Sequence, residues 1–247
     1  MCTVTYIKTA DRVIITSNRD ENELRPNACE PRKETINNCT LYFPKDPKAG
    51  GTWFAINEQG AVGVLLNGAF SIHQKEDSYV QSRGTVVIQV ISDPDPFRKI
   101  GELVLTGIEP FTLILYRNER LVELRWDGSQ KYERQLNPNA PHIWSSVTLY
   151  GPEVVHHREA LFSEFMREHP DPDEEDVVRF QSDNRNDSEN GFVINRATGL
   201  RTFSITQAIF KQQALVMRHL DLRNTKTYQI PINTRNKFLI RDEPVSS

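Results

Sequence analysis

Cys2 stands directly behind Met1. Once the initiator is removed, that residue carries a thiol and an α-amine on the same few atoms. The thiol titrates near ~8.5 and the amine near ~7.7–8.0, so each is partly in its reactive form at neutral pH. The amine takes the thiol's proton directly or through one water, and a single residue supplies both nucleophile and base. The alternative is an ordinary small hydrophobe opening a strand. Farther along comes Asn18-Arg19-Asp20-Glu21. A fixed Arg19 cation near the thiol favours the thiolate, and Asp20 would accept from an α-ammonium or hold Arg19 in place. The same run also reads as a solvated salt-bridge cluster at a strand end.

For these groups to meet, residues 2–7 and 12–17, both β-branched and alternating, must pair across the turn at 9–11, which sets position 2 beside positions 17–20. A second hairpin is expected from 52–56 and 61–66 around Asn57-Glu58-Gln59-Gly60. Between the two, residues 22–50 hold Pro26, Pro31, Pro44 and Pro47 and read as irregular surface chain. Residues 84–105 have helical spacing interrupted at 93–96, with a second helix starting near Pro96. Strands are expected at 111–116, 121–126, 131–135 and 143–149. A helix over 152–168 opens on proline and carries Val154, Leu161, Phe162 and Phe165 on one stripe. A shorter helix follows at 174–181, capped by Asp173. The polar stretch 182–191 reads as a mobile loop, before strands at 201–207, 213–221 and 226–230. Hairpins at both ends with helices between them predict an α+β fold of two mostly antiparallel sheets, packed together and covered by helices.

The 247 residues, 38% hydrophobic and 26% charged, describe a soluble globular chain able to bury a real core. A net charge of -3 advertises neither nucleic acid nor an anionic membrane. No apolar run approaches the ~18 residues of a membrane span, and the polar opening residues do not form a signal peptide. The three cysteines, Cys2, Cys29 and Cys39, lack zinc spacing and fit a reducing, cytoplasmic setting. No metal site is expected: Glu153 and His156 have Glu-x-x-His spacing but no second such helix. Gly50-Gly51 precedes a strand, which argues against a phosphate loop. Trp53, Trp126 and Trp144 line a pocket or fill the core.

Several motifs carry a resemblance: Met1-Cys2-Thr3-Val4, Asn18-Arg19-Asp20-Glu21, Arg25-Pro26 and Ala49-Gly50-Gly51-Thr52-Trp53, in that order. Together they resemble the NRDE family, whose opening is similar to that of N-terminal nucleophile hydrolases of the penicillin V acylase and conjugated bile acid hydrolase group. The resemblance implies an αββα four-layer sandwich, with residues 1–235 as one domain; the last dozen residues, 236–247, read as a frayed tail. It assigns catalytic positions to Cys2, Arg19 and Asp20, with the division of roles among Asn18, Arg19 and Asp20 open. Asn67 matches an asparagine whose amide helps form an oxyanion hole, which suits a neutral donor at a rigid strand end; Asn67-Gly68 is also plain turn chemistry. The family commonly has Ser-Asn where this chain has Ser145-Ser146, a departure that weakens the match to acylase chemistry. Arg201, in a segment resembling the family's, would close the pocket or bind a substrate carboxylate.

The expectation is a hydrolase of a non-peptide amide bond in a small acyl substrate, working through an acyl-thioester on Cys2. Arg19, Asp20 and Asn67 would be catalytic, and Asn18, Trp53, Ser146 and Arg201 would contact substrate. No cofactor is required. The alternative is a binding or trafficking protein, for which the resemblance implies haem or an acyl-CoA-type thioester as ligand. Neither reading involves nucleic acid or an integral membrane segment.

Overall fold

Alternation along the first strands sets the layering. In β1 (Thr3–Lys8), Val4 and Tyr6 pack into one core while Ile7 packs into another. In β2 (Arg12–Asn22), Val13 and Ile15 join the first and Ile14 the second. Strands buried on both faces lose the simple apolar–polar alternation, which is why β1 and β2 are nearly continuous in burial. The computed structural model describes residues 3–234. Cys2 and the expected tail lie outside the described residues.

Two antiparallel sheets follow. The remaining strands are β3 (Cys29–Ile36), β4 (Cys39–Lys45), β5 (Phe54–Asn57), β6 (Val62–Asn67), β7 (Phe111–Arg117), β8 (Arg120–Trp126), β9 (Lys131–Leu136), β10 (His142–Ser145), β11 (Leu200–Lys211), β12 (Ala214–Asp221) and β13 (Lys226–Pro231). One sheet has the order β10-β1-β2-β11-β12-β13 and the other β3-β4-β5-β6-β7-β8-β9. Helices α1 (Arg83–Ile91) and α2 (Pro96–Glu102) cover the second sheet through a cluster that includes Val87, Ile91, Leu65 and Leu113. Helices α3 (Pro152–Glu168) and α4 (Glu174–Ser182) cover the first through Phe162, Phe165 and Phe180. The expected four-layer α+β sandwich is the observed one, and β1 lies inside its sheet between β10 and β2.

Residues 22–50 depart from expectation: they contain β3 and β4 rather than irregular chain. Asn37 and Asn38, at φ 51° and 60°, make the tight turn that matches strand twist. Pro31 falls in the register shift between Cys29 and Arg32 on an edge strand, where its missing N–H breaks no ladder bond. Pro44 lies beyond the residues through which β4 pairs with β5. The strand expected at 143–149 stops at Ser145, because the Ser146 carbonyl accepts from the N–H groups of Leu149 and Tyr150 and turns the chain.

Candidate active site

β2 faces two layers at its C-terminal end, and this sorts the NRDE residues. Arg19 points into the inter-sheet layer, 2% exposed, with its guanidinium 4.6 Å from the Trp53 ring centroid and 5.4 Å from that of Phe203. Its Nη2 donates to Asp46 Oδ2 at 3.0 Å and lies 3.4 Å from Glu21 Oε2. Burial pulls Arg19 below the ordinary arginine value, opposed by the charges of Glu21 and Asp46. Its Nη1 is shielded from water and has no partner among the described residues. Asp46 also accepts from Arg25 Nη2 at 2.7 Å and from the backbone of Lys48 and Ala49. Burial works to raise the Asp46 carboxyl, but the Ala49 N–H and the two guanidiniums outweigh it and hold it below the usual carboxylate range.

Trp53 reaches Arg19 because two glycines let backbones meet. A Cβ on Gly51 would lie 2.3 Å from the Gly84 carbonyl carbon, so only glycine admits the start of α1 at this distance. Thr52 N–H donates to the Gly84 carbonyl, and the Thr52 hydroxyl donates to the Pro44 carbonyl at 2.6 Å, with the Phe54 carbonyl also within 2.9 Å. Ser82 caps α1 by accepting from the Gly84 N–H. Arg83 beside it reaches Glu109 at 2.9 Å, and His73 Nε2 meets the other oxygen of Glu109 at 3.1 Å. Burial lowers Arg83 from its ordinary value, with Glu109 opposing.

Asn67 ends β6, whose strand contacts β1 across the inter-sheet layer. Its backbone is anchored on both sides. The carbonyl accepts from Ser146 Oγ at 2.9 Å. The next residue, Gly68, at φ 80°, bonds Pro110 and accepts from Thr112 Oγ1. Asn67 Oδ1 is buried with no partner among the described residues. Three clefts share Asn67 in their walls. One, about 490 Å³, also carries Arg19, Arg25, Asp46 and Trp53. A second, about 830 Å³, carries Asp20, His73, Arg83 and Glu109. The third, about 640 Å³, is flanked by Trp144 and Ile143.

The structure thus brings Arg19, Trp53 and Asn67 to one cleft, with Asp20 on an adjoining wall. Asp20 faces the helical layer, where its carboxylate accepts from Tyr150 at 3.0 Å and Thr202 at 2.5 Å. Asn18 is turned away from the cleft: its Nδ2 donates to the carbonyls of Gln181 and Phe192 beneath α4. Ser146 holds Asn67 rather than lining the cleft. Arg201 is half exposed and paired with Glu23 at 3.1 Å, away from the cleft. Sequence reasoning missed Arg25, Asp46, Arg83, His73 and Glu109. Arg25 stood within a recognised motif, but nothing local linked it to Asp46, which arrives from another loop.

In fold the molecule is similar to the C2A mutant of conjugated bile acid hydrolase from Clostridium perfringens, at 12% identity and a TM-score of 0.59, over 96% of this chain and 94% of that one. An arginine-to-leucine variant of the same hydrolase gives 12% and 0.59 over 95% and 94%. The N-acylethanolamine-hydrolyzing acid amidase ortholog of Caenorhabditis elegans gives 13% and 0.52 over 84% of this chain and 92% of that one. The fold is therefore N-terminal nucleophile hydrolase-like, an α+β sandwich shared with these hydrolases. No curated protein matches the sequence. The model of the Transport and Golgi organisation 2 family matches residues 1–227, the family to which the NRDE motif points, and the chain belongs to it.

Proposed function

We propose that this chain hydrolyses a non-peptide C–N bond of a small acyl substrate, with Cys2 as N-terminal nucleophile after loss of Met1. The observation that carries the reading is the Arg19 guanidinium, buried in the inter-sheet layer beside the cleft that Asn67 shares, with Nη1 lacking a partner among the described residues. β1 and β2 pair up to Thr3↔Asn18, and the proposal takes that register one residue further, so that Cys2 stands opposite Arg19. A thiolate there is stabilised by the cation.

In the first step the thiolate attacks the amide carbonyl carbon and a C–S bond forms. The developing oxyanion accepts from the Asn67 amide and a backbone N–H. As the C–N bond breaks, the α-ammonium returns its proton to the departing amine. The α-amine then takes a proton from water, whose oxygen attacks the thioester and releases a carboxylic acid and the thiolate. Asp20, held by Tyr150 and Thr202, supplies the negative charge that keeps the α-ammonium oriented.

The lining favours a polar substrate. Around the smaller cleft Arg19, Arg25 and Arg83 present guanidinium donors, balanced in charge by Glu21, Asp46 and the Glu109 that pairs with Arg83, a lining suited to an acceptor-rich group. The same lining gives no support to haem, which needs a broad apolar slot and an axial ligand. His73, in the adjoining cleft, has Nε2 against Glu109 and Nδ1 shielded from solvent. The neighbours named as hydrolases, one of them an amidase, support catalysis over binding or trafficking alone.

Intact mass tests processing, and Cys2→Ala assayed on a panel of acyl amides tests chemistry. The expected results are a chain lacking Met1 and loss of turnover in the variant. Retained Met1, or unchanged turnover by Cys2→Ala, overturns the proposal.

A further inference from the structure

We infer that Arg158 is a positioning residue for the Cys2 site, fixing the start of β1 through Thr3 and the Asp20 carboxylate through Tyr150. This rests on the hydrolase reading above. α3 buries Arg158, Phe162 and Phe165 on its sheet-facing side, and an arginine occupies the first of those places. The side chain is 1% exposed. Nη1 donates to Thr3 Oγ1 at 2.8 Å, Nε and Nη2 to the Asn190 carbonyl at 3.2 and 3.1 Å, and Nη2 to the Gly191 carbonyl at 2.5 Å. Its guanidinium lies 3.6 Å from the Tyr150 ring centroid, and the Tyr150 hydroxyl is the one that donates to Asp20.

Two features argue against a purely structural role. Among the described residues the cation has carbonyls, a hydroxyl and aromatic faces as partners, and forms no ion pair with a carboxylate. Burying such a charge costs stability that a well-packed apolar side chain of similar volume would not. Second, the planar fork ties one loop to one strand, which a point charge does not reproduce. The next residue of that loop, Phe192, accepts from Asn18 of β2. One loop therefore fastens β1 through Arg158 and β2 through Asn18, on either side of the place where Thr3 pairs with Asn18. A nucleophile one residue beyond Thr3 would inherit that placement, and misplacement by ~1 Å costs about a hundredfold in rate.

The test is the pH profile of Cys2 alkylation by iodoacetamide, read on the N-terminal peptide by mass spectrometry, with Cys29 as internal reference. The wild type is expected to alkylate with an apparent thiol pKa below the ~8.5 of a free cysteine. Arg158→Met should raise that value and slow Cys2 labelling at pH 7 by about tenfold, a shift of ~1 pH unit, while Cys29 labelling stays constant. Arg158→Lys should recover only part of the loss. Thr3→Val and Tyr150→Phe each remove a single hydroxyl, and carry the test if Arg158→Met does not fold. Phe162→Leu is the control: it should lower stability without moving the profile. An unmoved profile in folded Arg158→Met, or in both hydroxyl variants, overturns the inference while leaving the hydrolase reading intact. An ordinary thiol profile in the wild type overturns both.

Discussion

Substitutions at Asn67 and Arg19 separate the proposed catalytic roles from architectural ones. Asn67 Oδ1 has no partner among the described residues, so removing the amide breaks no bond identified there. Asn67→Ala should lower kcat by about 10²–10³ with little change in KM, as loss of an oxyanion donor does, and leave the urea midpoint nearly unmoved. A fall in stability with kcat intact would make Asn67 a turn residue. Ser146→Ala should act indirectly and more weakly: it frees the Asn67 carbonyl and costs about 1 kcal/mol of stability. Arg19→Met leaves Asp46 with Arg25 and removes the cation from the cleft, so it should reduce turnover more than it raises KM.

At the scale of elements, the site depends on close seating of α1 against the loop before β5. Gly51→Ala places a Cβ 2.3 Å from backbone, forces a shift, and should destabilise the fold by about 1–3 kcal/mol. KM should rise as Trp53 and Arg83 move, and an unchanged urea midpoint would refute the role given to this glycine. The β1–β2 hairpin, both helix pairs and the strands from 111 to 136 were legible, because period and caps are local signals. Asp173 forms a capping box with Asp176, as its position before 174–181 predicts. β3 and β4 were not legible: Pro31 and Pro44 are breakers except at a bulge or beyond a pairing segment, and the sequence alone does not say which strands form an edge. The site divided along the same line. Arg19 lies late in β2 and Asn67 ends β6, positions that hairpin spacing locates, whereas Asp46 arrives from a loop and Arg83 from the start of α1, whose approach only the packed sheets determine. Alternation within β2 explains why Asn18 and Arg19, adjacent in sequence, serve different layers.

For the whole molecule, His219 links stability to pH. It is buried in β12 with its ring centroid 6.3 Å from that of Trp53, and its Nδ1 is 2.8 Å from Thr206 Oγ1. Burial pushes it from 6.5 down to about 4, with Asp221 opposing and Arg19 reinforcing the shift. The unfolded chain therefore binds a proton that the folded one refuses across that interval. The stability is present above pH 6.5 and lost as pH falls toward 4, by about 3 kcal/mol. Urea midpoints at pH 7.5 and 4.5 should fall closer together in His219→Gln, and an equal drop in both proteins would contradict this. Among the described residues no helix is long and apolar enough to cross a membrane. The chemistry begins at the first residues of the chain, and it is read from the intact mass of protein mixed with succinyl p-nitroanilide and quenched in acid. The expected product is a chain without Met1 that carries one succinyl group on its N-terminal peptide, absent in Cys2→Ala. A chain that keeps Met1, one acylated elsewhere, or a Cys2→Ala variant that still turns over the anilide would contradict it.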